Sequence, residues 1–184
     1  MATGGAQLKG SLLVGVVKLL RLRRSESSDL LPERLHHYLS ERILVSSWYS
    51  EDEALELFRV FAALHGGTNE VWLNMGRTVA IDHAQHTYQH LLESRDIGRL
   101  LSHANVLFRA MHNTGFMSAK RLDEHSFEMM LEDYPVLCPE WTRLLAGYFD
   151  GLVMACGGRT SRSELVDVDY ARKCAKWLLE FEGG

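Results

Sequence analysis

The stretch "DHAQHTYQH", residues 82–90, carries three imidazoles, His83, His86 and His90, spaced three and four apart. On a helix that spacing stacks side chains along one face. A histidine pair four apart can chelate zinc, copper or nickel. A working site also needs ligands from elsewhere and groups that orient the rings. Asp82 is adjacent, but each residue advances about 100° around a helix, so it points off the stripe. Leu73, Ala80, Ala84, Tyr88 and Leu91 form the predicted core face of this helix, with the histidines on its flank. They are therefore expected to bind neither haem nor a structural metal. They line a solvated surface or an interface, where imidazoles charge as pH falls.

The thiols are the next candidates. Cys138, Cys156 and Cys174 are odd in number and form no CxxC. That usage reads as a reducing compartment. Cys138 precedes Pro139 at a predicted helix start, where the dipole lowers a thiol pKa. No base accompanies it. Glu164, Asp167 and Cys174 in the tail, with Cys138, offer zinc two thiolates and two carboxylates. No Walker loop, GxGxxG, GxSxG, HExxH or paired carboxylates with an evident pocket are found. No catalytic residue is assigned, and the chain is not read as an enzyme.

The elements that must position these groups follow from composition and periodicity. The chain has 184 residues, 46% hydrophobic and 24% charged, which is ordinary for a single globular core. A net charge of −4 argues against nucleic acid as the main partner. The basic run Lys18 to Arg24 reads as a solvated helix end. "SLLVGVVKLL" is interrupted by Lys18 and is too short to span a membrane, so a cytoplasmic chain is expected. Residues 1–10 read as a flexible N-terminus and 11–182 as one domain.

Leu12 to Leu22 is apolar almost all round, so that helix is expected to be sandwiched within the chain or against a second copy. Pro32 suits the first turn of another helix. Ser50 and Glu53 form a capping box for a helix with Ala54, Leu57, Phe58, Phe61 and Leu64 on one face, ended by Gly66 and Gly67. The histidine helix runs from Thr68 or Asn69 to about Glu93. A further helix, capped by Ser94 with Asp96 behind it, carries Leu100, Leu101, Ala104, Leu107, Phe108 and Met111. Phe127, Met129 and Leu131 then alternate with polar neighbours, which predicts a hairpin. Pro139 opens a helix, and a second alternation through Trp177, Leu179 and Phe181 predicts a second hairpin, although residues from Ala171 are also good helix formers. The expected fold class is α+β, an N-terminal helical layer followed by ββαββ forming an antiparallel sheet.

Three segments together carry a resemblance: "ILVSSWYSEDEALELFRVF" (43–61), "NTGFMSAKRLDE" (113–124) and "LLAGYFDGLVMACGGR" (144–159). They resemble bacterial domains of the 4-vinyl-reductase type, and more closely a little-characterised bacterial paralogous family of the same plan. The best single motif is Gly147-Tyr148-x-x-Gly151, whose glycines are expected to face the sheet or a neighbouring helix at close range. The superfamily so implied includes haem nitric-oxide-binding domains and vesicle-tethering transport-particle subunits. Its sensor members often hold zinc through C-x7-C, a preceding glutamate and a cysteine near the helix start. Cys174 and Cys138 fit that pattern, with Glu164 as the glutamate. Val166 stands where the first cysteine belongs, beside Asp167. The haem branch's Tyr-x-Ser-x-Arg element is absent, which counts against haem.

The resemblance implies a non-enzymatic regulatory module, a homodimer with a protein partner in signalling. Its pocket for a small apolar ligand would lie between the helical layer and the sheet, walled by Phe108, Met111, Phe116, Trp141, Tyr148 and Trp177. No resident cofactor is expected, with zinc left open. The rivals are an interaction subunit with a filled core and a zinc-binding sensor domain.

Overall fold

The computed structural model describes residues 5–86 and 96–183. Its backbone gathers into two units: Met1–Val71 with Ala110–Thr114, and Trp72–Arg109 with Gly115–Gly184.

In the first unit, β1 (Gln7–Lys9) pairs antiparallel with β2 (Trp48–Ser50). Residues 7–9 therefore form a strand inside the segment expected to be flexible. One fully buried apolar residue, Leu8, is too little for a period-two signal. Helix α1 (Gly10–Leu22) buries Leu12, Leu13, Val16, Val17 and Leu20. Leu19 and Leu22 stay 44% and 75% exposed, so the chain by itself does not bury this helix all round. Helix α2 (Arg24–Leu30) leads to a 3-10 helix, Glu33–Leu39, with Pro32 at its cap where a first helical turn is predicted.

Helix α3 (Glu51–Leu64) starts at Ser50, whose hydroxyl accepts from the Glu53 backbone N–H at 3.4 Å. The Glu53 carboxylate accepts instead from the Tyr38 hydroxyl at 2.6 Å, so the Ser50 half of the capping box is seen and the Glu53 carboxylate is engaged elsewhere. Ala54, Leu57 and Phe58 are buried, while Phe61 stacks on His65 at 4.2 Å. Gly66 and Gly67 end the helix with φ of +95° and +67°.

A buried polar contact closes this unit. Glu51 is 0% exposed and His112 5%. The His112 Nδ1 donates to Glu51 Oε1 at 2.8 Å. Glu51 begins α3, where the helix dipole favours a carboxylate. Its N–H donates to the Ala6 carbonyl at 3.0 Å, and Asn113 exchanges two backbone-directed bonds with Gln7. Replacing His112 with Ala strands a buried carboxylate. Urea denaturation should show a loss of about 3 kcal/mol or more, and Glu51→Gln a smaller one. Equal, small losses for both would show that the contact is structurally idle.

In the second unit, helix α4 (Asn69–His86) contributes from Trp72 onward. The rest of the predicted histidine helix, with Tyr88, His90 and Leu91, lies outside the described residues, as does Ser94. Asp96 caps α5 (Ile97–Ser102), accepting from the Arg99 N–H at 2.9 Å. Helix α6 (Ala104–Met111) follows. Leu100, Leu101, Ala104, Leu107 and Phe108 are all buried, as the stripe predicts.

Strands β3 (Phe116–Arg121), β4 (Ser126–Glu132), β5 (Arg159–Asp169) and β6 (Cys174–Glu182) form one antiparallel sheet in the order β3-β4-β6-β5. Helix α7 (Pro139–Ala155) connects the two hairpins. This is the expected ββαββ plan and α+β class. Phe127, Met129 and Leu131 pair with Leu179, Trp177 and Ala175, and all six are buried. Helix α7 lies on that face. The Trp177 indole donates to the Thr142 carbonyl at 3.2 Å and the Ser163 hydroxyl to the Ala146 carbonyl at 2.9 Å.

The opposite side of α7 meets α4 backbone to backbone. A methyl at Gly147 would lie 2.0 Å from the Leu73 carbonyl oxygen, and one at Gly76 2.0 Å from that of Leu144. A methyl at Gly151 would lie 2.7 Å from the Arg77 carbonyl oxygen. The two motif glycines thus approach a neighbouring helix. Gly147→Ala should cost about 1–3 kcal/mol by overpacking, despite alanine's better helix propensity. Gly15→Ala, on an exposed position of α1 with open space around it, should instead add about 0.5–1 kcal/mol. Denaturant midpoints moving the same way in both variants would contradict the close crossing.

Candidate ligand site

An aromatic cluster occupies the interior of the second unit. Phe108 meets Tyr134 edge-on at 5.6 Å, and Tyr134 meets Trp141 edge-on at 6.0 Å. All three are buried. Gly115, at φ +81°, tucks beneath them: a Cβ there would stand 3.0 Å from ring atoms of both Phe108 and Tyr134. Tyr134 was not among the expected wall residues. Its sequence signal was an isolated aromatic between the first hairpin and Pro139. Trp177 sits under α7, edge-on to Phe149 at 5.5 Å. Tyr148 is half-buried, and Phe116 is 46% exposed at the start of β3. Met111 belongs to the first unit, where its sulfur accepts from the Ser11 hydroxyl at 3.4 Å.

His83 is not on a solvated flank. It is 1% exposed, with Nδ1 3.4 Å from the Tyr148 hydroxyl and the two rings edge-on at 6.1 Å. The reason is tertiary: Gly147 and Gly151 let α7 press onto α4, so a face turned from the helix's own apolar stripe is covered. The His86 side chain and His90 lie outside the described residues.

A further imidazole, His103, is tethered through one ring nitrogen, as His65 is to the Phe61 carbonyl at 2.8 Å. His103 sits at the joint between α5 and α6, half-buried. Its Nδ1 is 2.8 Å from the Arg99 carbonyl oxygen. An N–H donated there fixes the tautomer and leaves Nε2 with its lone pair. The sequence signal was one imidazole set among Leu100, Leu101, Ala104 and Leu107.

The proposed zinc ligands do not assemble. Among the described residues, no group of three or more His, Cys, Asp or Glu side chains could hold a metal ion. Glu164 is exposed and accepts from Arg162 at 2.7 Å, and Asp167 lies across from Lys176 in register. A register shift between Leu165 and Asp167 places Val166 as the extra residue, on the strand position where a cysteine was sought. Cys174 pairs in register with Asp169.

Cys138 is the N-cap residue of α7, without a capping bond from its side chain, and burial pushes its pKa up, outweighing the opposing pull of the Trp141 backbone N–H. Burial pushes Cys156 up to about 11. Burial here outweighs the dipole that a helix start offers a thiol. At pH 7.5 iodoacetamide should alkylate Cys138 in the native protein more slowly than a cysteine in an unstructured peptide, because less of it is thiolate. An equal or faster rate would show the dipole prevailing over burial.

No family model matches the chain, and no curated protein does. Solved structures do. A variant of the Tt H-NOX superposes with a TM-score of 0.69 at 16% identity over 96% of each chain. The Fe(II) unliganded H-NOX protein from K. algicida gives 0.68 at 12% over 96% of this chain and 98% of that one. An oxygen-binding H-NOX domain related to soluble guanylate cyclases gives 0.66 at 17% over 96% of each. The chain has the H-NOX fold. The named neighbours are H-NOX structures, and at 12–18% identity the likeness is one of fold.

The expectation of no cofactor, with haem counted out, is corrected by this result. The H-NOX neighbours include an Fe(II) protein, and another structure concerns heme distortion in the H-NOX family. A missing short side-chain element excludes little when identity is 12% and the fold persists. Among the described residues, His103 could offer Nε2 to a haem iron while its Nδ1 donates to the Arg99 carbonyl. No helix among the described residues is long and apolar enough to cross a membrane.

Proposed function

We propose that the chain is a non-catalytic ligand-sensing module on the H-NOX fold, working in the cytoplasm and read by a protein partner. The observation that carries the reading is His103, its Nδ1 tied to the Arg99 carbonyl at 2.8 Å in the unit that also holds the Phe108–Tyr134–Trp141 cluster. The fold likeness over 96% of the chain supports it. The ligand placed first is haem, which when bound supplies an iron centre for a small gas such as the oxygen named for one neighbour. His103 would hold it through Nε2, with Arg99 orienting the ring. The aromatic cluster supplies an apolar, water-excluding interior. A small apolar molecule is the second reading, favoured by the same cluster without the imidazole.

Protein expressed with a haem precursor should show a Soret band that His103→Ala abolishes and His83→Gln retains, with the fold unchanged by circular dichroism. No Soret band, but a retained organic molecule in native mass spectrometry, would replace haem by the second reading. A protein holding neither would be an interaction subunit, and the sensing proposal would fall.

A further inference from the structure

Strand β5 is the longest strand of its sheet and stands at its edge, with β6 as its one strand neighbour among the described residues. An edge strand offers a row of unpaired N–H and C=O groups to another strand. Its charges are segregated: Arg159 and Arg162 precede Glu164, Asp167 and Asp169. Arg159, Arg162, Glu164, Asp167 and Asp169 pair in register with Glu182, Glu180, Leu178, Lys176 and Cys174. These partners alternate with the buried Ala175, Trp177, Leu179 and Phe181 of β6. All five charges therefore lie on the sheet face away from α7. One register shift falls on each side of Ser163, between Thr160 and Arg162 and between Leu165 and Asp167.

We infer that β5 is a self-association edge, pairing antiparallel with β5 of a second copy about a two-fold axis at Ser163. In that register Arg162 faces Glu164 of the partner subunit, and Arg159 faces Asp167 of the partner subunit. Each arm carries one bulge, so the chain count from Ser163 to Arg159 equals that from Ser163 to Asp167, and both end on the same face. A register centred one residue on, at Glu164, would put Glu164 against its own copy. Opposite charges across a strand pair stabilise it, and like charges oppose it. The pairs these residues now make within the chain, Arg162 with Glu164 and Glu180, Arg159 with Glu182, and Asp169 with Arg172, are exposed. Such pairs rearrange at little cost. The inference is independent of the ligand reading and places the interface on β5 instead of α1.

Sedimentation equilibrium of the full chain tests it. The wild type should dimerise at micromolar concentration. Arg159→Glu with Arg162→Glu should weaken the dimer by about tenfold or more, since like charges then meet in both pairs. Adding Glu164→Arg and Asp167→Arg restores complementarity and should restore the dimer. Circular dichroism checks that each variant is folded. A wild type that stays monomeric, a dimer indifferent to the charge reversal, or a quadruple variant that fails to recover would each overturn the assignment.

Discussion

The second unit depends on a reciprocal backbone contact. Gly76 of α4 admits the Leu144 carbonyl, and Gly147 of α7 admits that of Leu73. Neither helix can turn about its axis without driving a Cβ into the other. Glycine weakens a helix interior by roughly 1 kcal/mol relative to alanine, so three at one crossing are a liability unless close approach repays them. The return is a fixed α7. On its other side Trp177 and Ser163 bond to the Thr142 and Ala146 carbonyls, so the helix is held between α4 and the sheet. Arg77 pairs with Asp150 at the same crossing. The burial of His83 is a consequence of this contact.

The first unit is closed by different physics. Its two-stranded pairing spans three residues a side, too little to be stable alone. Glu51 and His112, 61 residues apart in sequence, meet there in the interior. Burial of a carboxylate is costly unless it is bonded and electrostatically favoured. Glu51 has the His112 ring on one oxygen and the first turn of α3 around it. A buried polar contact of this kind specifies position more sharply than apolar packing, because a slip leaves a charge unsatisfied.

What could be read from sequence follows the same division. Both hairpins were legible because one face of the sheet is covered by α7 and the other is not, which writes a period of two into Phe127–Leu131 and Trp177–Phe181. The glycine crossing was legible as a motif, although its partner helix was not. Strand β1 was lost because it buries one side chain. His83 was misjudged because helical periodicity reports the face a helix would bury alone, and α7 covers a second one. His103 was passed over because a single half-buried imidazole leaves no periodic trace. The zinc ligands failed on the two faces of the sheet, which composition cannot reveal: the bulge at Val166 turns Asp167 to the same side as Glu164 and Cys174, away from helix α7, whose N-cap is Cys138.

The contacts that hold the fold and the groups that would meet a ligand are different residues. The crossing uses Gly76, Gly147 and Gly151. The sheet uses an alternation that many apolar sequences satisfy. Neither needs His103, whose ring is fixed by a backbone carbonyl that any residue at position 99 would supply. A scaffold so separated can keep its architecture while its ligand chemistry drifts. That is why 12–18% identity accompanies a fold shared over nearly the whole chain. The ligand proposed for this chain accordingly rests on the likeness of the backbone, with one imidazole at the α5–α6 joint and the ring cluster in the same unit as the groups that would meet it.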